Sequence, residues 1–293
     1  MRAARLSGRL LVLAALASLL AVGLGRLVGL LNRERPVLFY SNRDGNGDLY
    51  ILDAATGIVR NLTRHPASDT GAAWSPDGQR IAFSSHREGS ANIYTMNAAG
   101  GDVRRITQSD AREVNPAWSP DGRLLAYASD QSGNWDLYVI PSSGGQPRQL
   151  TTHPGPDESP AWSPDGQQIA FVSRREGTWG VFLMATDGSN IRRLTDPTVR
   201  HITPTWSPDG TNLILASDSN YLDFELYRLD LITGAFTQLT DNRHMDASPA
   251  WTPSGFVLFE SDRDGEPQIY RMAADGSGVQ RLTFTAGANR DPN

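Results

Sequence analysis

The pentapeptide WSPDG recurs at Trp74, Trp118, Trp162 and Trp206, each 44 residues after the last, and WTPSG follows at Trp251, 45 residues further on. So regular a period leaves few folds open, because one supersecondary unit is repeated and each copy buries its apolar face only against its neighbours. Two further markers keep the same step. The segments DLYIL, NIYTM, DLYVI, GVFLM, ELYRL and QIYRM carry aromatics at Tyr50, Tyr94, Tyr138, Phe182, Tyr227 and Tyr270. A Leu/Ile-Thr pair begins at Leu62, Ile106, Leu150, Leu194, Leu239 and Leu282, so six units are present.

Each unit reads as short strands divided by turns. Pro-Asp-Gly suits a type I turn, with proline presetting the backbone and glycine accepting the geometry that follows. Next come an apolar strand such as IAFSS, a polar hairpin, an alternating strand such as NIYTMN, a Gly-rich turn and a last strand ending in RRIT or RQLT. Four strands in about 44 residues with a Trp signature predict an all-β fold, a six-bladed β-propeller of four-stranded blades.

The two ends of the repeat region predict how the ring closes. In the complete units the Thr precedes the Trp by 11 residues, so Thr283 points to position 294 and Pro292 aligns with Pro116, Pro160, Pro204 and Pro249. The first unit enters at its second strand, VLFYS. Residues 287 to 293 are therefore expected to supply the missing inner strand of blade one, leaving no open gap.

One stretch imitates a different motif. NRDGNGDLYILD, residues 42 to 53, has the oxygen spacing of a calcium loop, with Gly47 at the sixth place. Aligned with SHREGSANIYTMN and SRREGTWGVFLMA, however, it is the hairpin between the second and third strands, and no helix pattern flanks it.

Composition excludes several chemistries. There is no cysteine, and all 27 basic residues are arginine, so thiol catalysis, disulfides and Schiff-base lysine are absent. Residues 1 to 35 hold six Arg and one Glu, which leaves the remainder with 21 basic and 31 acidic side chains, an acidic body that repels nucleic acid. Arg2, Arg5 and Arg9 precede an uncharged apolar run from Leu10 to Gly25. This is the pattern of an export signal, and Leu10 to Leu31 is also long enough for an uncleaved membrane anchor. The expected organisation is a signal peptide or signal-anchor at 1–35 and a propeller at 36–293, held outside the cytoplasm, with membrane contact through the N-terminal segment only.

The units PAWSPDGRLLAYASDQSGNWDLYVIPSSGGQPRQLT and PAWSPDGQQIAFVSRREGTWGVFLMATDGSNIRRLT resemble the WD-repeat-like propeller repeats in the C-terminal domain of TolB, the periplasmic protein of the Tol-Pal envelope system. The likeness covers residues 36 to 293 through five copies of W-[ST]-P-x-G, without the α/β domain that precedes the propeller in TolB. It implies an envelope interaction protein. Similar propellers also accompany peptidases of the prolyl oligopeptidase type and form oligogalacturonate lyases.

Chemistry is expected where blades converge. The residue five before each Trp is Asp69, Glu113, Asp157, His201 or Asp246, with Asn289 at the sixth equivalent. At one channel mouth, four carboxylates and a histidine favour a divalent cation, a basic peptide or raised pKa values. Alternatively each caps its inner strand by bonding loop backbone. His65, His153 and His244 fall in the same connecting loops and His86 in a hairpin. No G-x-S-x-G, H-E-x-x-H or P-loop occurs. The expected function is a non-catalytic, monomeric scaffold binding an envelope protein or glycan through one face, with no cofactor beyond that cation. The alternative is a metal-assisted propeller lyase or hydrolase with a His/carboxylate site at the channel mouth.

Overall fold

The computed structural model describes residues 35–219 and 223–293. The chain divides into Met1–Arg35 and Pro36–Asn293, and the fold below is that of the second part. The export or anchor segment expected at 1–35 lies outside the described residues.

Six four-stranded antiparallel sheets follow one another along the chain. Blade two shows the pattern: an inner strand Asp69–Trp74, a second strand Arg80–Ser85, a third Asn92–Asn97 and an outer strand of two residues, Arg104–Arg105. Blades three to six start from the inner strands Glu113–Trp118, Asp157–Trp162, His201–Trp206 and Asp246–Trp251. Blade one closes as expected. Its inner strand is Asn289–Arg290, paired antiparallel with Val37–Ser41 through Tyr40↔Arg290 and Ser41↔Asn289. Leu38 and Asn293 then exchange two backbone hydrogen bonds of 2.8 and 2.7 Å.

The markers have separate structural tasks. In Trp-Ser-Pro-Asp-Gly the Ser75 hydroxyl donates to Asp77 at 2.6 Å and accepts from the Arg80 amide at 2.9 Å, so the turn is closed by side chains as well as by Gly78 N–H to Ser75 carbonyl. The Thr of the Leu/Ile-Thr pair takes over where the short outer strand runs out. Its hydroxyl accepts a third-strand amide in all six blades, from Leu49, Ile93, Leu137, Val181, Leu226 and Ile269, at 2.9–3.1 Å. NRDGNGD is the hairpin between Val37–Ser41 and Asp48–Asp53, its Asp44 accepting from the Tyr50 hydroxyl and its Asp48 from Asn61.

The core is divided among the blade contacts. Leu38, Leu49 and Ile51 of blade one pack on Ile81, Phe83 and Met96 of blade two, and the equivalent cluster recurs at each junction round to Val37, Phe39 and Leu52 against Ala250, Leu258 and Ile269. Second and third strands are therefore buried on both faces, as the five consecutive buried residues from Asn92 to Met96 show, and they read as apolar runs. Phe39, Phe83, Phe171 and Phe259 are fully buried at four of the six junctions, where truncation to Ala costs about 3–5 kcal/mol each.

Deleting residues 287–293 should strip blade one of its inner strand and leave the edge of Val37–Ser41 bare. With three to five hydrogen bonds lost at about 1 kcal/mol each, stability should fall by roughly 3–5 kcal/mol, read by urea unfolding, and light scattering should report self-association through the new edge. An unchanged unfolding midpoint would show that the strand does not close the ring.

Candidate binding face and central channel

The six residues singled out in the sequence open the six inner strands, one per blade. Each uses its backbone to grip the preceding blade. The amides of Asp69, Glu113, Asp157, His201, Asp246 and Asn289 donate to the carbonyls of Gly47, Ala91, Trp135, Trp179, Phe224 and Pro267 at 2.8–3.0 Å.

Their side chains do not form an acidic rim around the channel. All six are at most 2% exposed, and none lines the central cavity. Three of the four carboxylates are held inside their own blades by an arginine two residues past the second-strand serine. Arg87 Nη2 donates to both oxygens of Asp69 at 3.1 and 3.2 Å, Arg175 to Asp157 at 3.1 and 2.9 Å, and Arg263 to Asp246 at 2.9 and 2.7 Å. Each guanidinium also lies over two rings, for example Arg87 over Phe83 and Tyr94 at 5.1 and 4.9 Å, and its Nε donates to the serine. Blade one repeats the arrangement with a neutral acceptor, Arg43 donating to Asn289 Oδ1 at 2.6 Å. Among the described residues, the expected side-chain bond to loop backbone is seen only at Asn289, whose Nδ2 donates to the Gly287 carbonyl at 3.4 Å; the three Asp are engaged by an Arg clasp that packs charge against aromatic faces.

Blades three and five depart from it. Glu113 faces Gln131 where the others have arginine, and burial pushes its carboxyl up to about 7. His201 has Ser219 at that place; its ring sits edge-on to Phe236 at 5.5 Å, both ring nitrogens lack partners, and burial, followed by the charge of Arg193, lowers its pKa to about 4. The loop histidines are engaged locally, His65 and His153 accepting from the Ala67 and Gly155 amides and His244 lying 3.5 Å from Asp262. Among the described residues no three His, Asp or Glu side chains come together as a metal-binding group.

The channel is lined instead by the residues three before each Trp. A cavity of about 320 Å³ touches all six inner strands, and Gly71, Asn115, Ser159, Thr203, Ser248 and Asp291 ring it. All six have φ between +48° and +56°, the left-handed region, and in blades two to six the position is a bulge where the inner strand slips register against the second. For β-branched Thr203 this conformation carries strain of about 1–3 kcal/mol. Asn115 donates to the Ser159 hydroxyl at 3.1 Å and Ser248 to Asp291 at 3.0 Å, so the ring is a band of small polar groups with one acid. Burial raises the Asp291 carboxyl. The signal was present in N-P-A-W, S-P-A-W, T-P-T-W and D-P-N, a small polar residue before proline, but strand alternation alone misplaces it because the bulge turns it inward.

Asp157→Ala should leave Arg175 buried without its counter-ion and cost about 3–5 kcal/mol, whereas Asp157→Asn, which copies Asn289, should cost only about 1–2 kcal/mol; chemical denaturation separates the two. A second expectation concerns pH. Burial raises Glu113, Glu225 and Glu260 to about 7, so the folded protein holds these protons more tightly than the unfolded chain between roughly pH 4.5 and 7. Their contribution is present at the acid side of that window and is lost as pH rises through 7. Depressed His201 acts in the opposite sense between about pH 4 and 6.5, as one group against three. Thermal unfolding should therefore occur at higher temperature at pH 6 than at pH 8, by roughly 1 kcal/mol per carboxyl before that offset.

The TolB beta propeller domain matches residues 34–116, 111–200 and 198–293. TolB from Acinetobacter baumannii superposes with a TM-score of 0.79 at 23% identity, over 87% of this chain and 65% of that one, a likeness of fold. The putative TolB from Agrobacterium tumefaciens gives 0.73 at 25% identity over 87% and 91%. An uncharacterized protein of Agrobacterium fabrum (strain C58 / ATCC 33970) is 38% identical over 64 residues, so the match spans only 22% of that relative's length. With its matches running from residue 34 to residue 293, the chain belongs to the TolB beta propeller domain family.

Proposed function

We propose that this protein is a non-catalytic, extracytoplasmic scaffold of the cell envelope that holds a protein or glycan partner against one face of the disc. The observation that carries the reading is the commitment of its inner acids. Asp69, Asp157 and Asp246 are spent on arginines and His201 is sealed from solvent, so the side chains best suited to acid–base work hold the ring together. What faces outward is a rigid set of loops around a polar channel, a surface suited to recognition. The fold likeness to TolB supports an envelope role, and the basic, then apolar N-terminal segment supports export with retention at the membrane.

Affinity capture from envelope extracts with the full chain as bait should recover a stoichiometric partner, and membrane fractionation should find the full chain in the membrane pellet and a chain lacking residues 1–35 in the soluble fraction. Turnover of a polysaccharide or peptide panel in the presence of divalent ions would overturn the scaffold reading.

A further inference from the structure

The arginine clasp is missing its cation in one blade that keeps everything else. Blade three retains the second-strand Ser129, the aromatic pair Tyr127 and Tyr138 with centroids 5.9 Å apart, and an inner-strand acid, Glu113. At the position of Arg43, Arg87, Arg175 and Arg263 stands Gln131, which is exposed. Blade five, by contrast, has lost the acid along with the arginine, replacing them with neutral His201 and Ser219.

The consequence is a buried acid on the wall of a cavity. Glu113 is 2% exposed and its Oε2 has no hydrogen-bond partner; Tyr127 is fully buried and its hydroxyl has none either. Both line a cavity of about 510 Å³ between blades two and three, with exposed Gln131 and Gln146 along its lining. The Thr107 side chain favours the ionised Glu113, but Oε2 stays unpaired beside the Tyr127 hydroxyl, and a buried acid oxygen is costly unless a donor reaches it. The neighbouring charges do not serve. Arg105 also lines the cavity, but its guanidinium is taken by Glu88 at 2.7 Å, Asn92 at 3.0 Å and the Thr107 carbonyl at 2.8 Å. Asp130, which adds negative charge near Glu113, is paired with Arg112 at 2.7 Å. With these pairs cancelled, the ionised Glu113 leaves one negative charge to be met.

We propose that the cavity between blades two and three binds a guanidinium cation from outside the fold, which takes the place of the missing arginine, donates to Glu113 and lies over the Tyr127 and Tyr138 rings. The four clasped blades define the chemistry: a planar, weakly hydrated cation with several donors, which stacks on aromatic faces and in three of them pairs with a carboxylate. Such a group reaches the cavity either on a small guanidino compound or on an arginine side chain of a protein segment. This site lies inside a blade junction and stands independently of the partner-docking face.

The test is calorimetric titration of the full chain with ethylguanidinium chloride at constant ionic strength, with ethylammonium as the control. Wild type should bind one equivalent with a preference for guanidinium. Gln131→Arg, which supplies the cation from within the chain as four other blades do, should weaken binding at least tenfold and raise the unfolding temperature. Glu113→Gln, isosteric and therefore expected to fold, should weaken binding to a similar degree. Affinity should be about tenfold lower at pH 6 than at pH 8, because the carboxyl that must ionise titrates at about 7. An arginine tetrapeptide that binds more tightly than ethylguanidinium, while its citrulline counterpart does not bind, identifies a protein segment as the source; a peptide weaker than ethylguanidinium identifies a small molecule. The absence of saturable binding, or unchanged binding in Gln131→Arg, would overturn the proposal.

Discussion

The structure depends on one bond made six times, the backbone amide of the first inner-strand residue donating to a carbonyl of the blade before it. Such a bond has no meaning within a single blade, which would leave both groups exposed on an isolated sheet. It becomes worthwhile only when the neighbour is in place and the apolar cluster between them has formed. The arginine clasp then fixes the acid that makes the bond in three blades by packing a charge pair against two aromatic rings, with Nη2 on the carboxylate and Nε on the second-strand serine.

Because the same joint is repeated, departures from it carry information that a single site could not. The substitution of Asn289 for an acid in blade one shows that the clasp works with a neutral acceptor. In blade five the whole charge pair is gone, and His201 instead lies edge-on to the ring of Phe236. Blade three keeps the acid, loses the base and retains empty volume. Five joints thus act as internal controls for the sixth.

Much of this architecture was legible from period alone. The spacing of Trp74, Trp118, Trp162, Trp206 and Trp251 and the alignment of Pro292 with the inner-strand prolines led to the blade number and to closure by the C-terminal strand. The inner-strand residues Asp69 to Asn289 were also located correctly, yet their surroundings were not. Sequence spacing places a residue at a strand start but does not say that Arg87, 18 positions later, returns to it across the sheet. Nor does alternation foresee a bulge, which turns the channel ring from Gly71 to Ser248 inward and leaves it two residues past the positions expected at the mouth. The repeated S-x-R after the second strand was visible, and its interruption at Gln131 and Ser219 had meaning only once the partner acid was known.

The late position of the closing strand also shapes how the molecule comes into being. Val37–Ser41 and Asn289–Arg290 lie side by side in the finished ring but are separated by nearly the whole repeat region. At about 5–20 residues per second, a ribosome delivers the second roughly 10–50 s after the first. Throughout that interval the nascent protein is an open arc, and its earliest sheet waits with an unsatisfied border for a segment not yet made. The ring therefore closes only once Asn289–Arg290 has emerged, and whatever shepherds the growing polypeptide must keep that border quiet until it does.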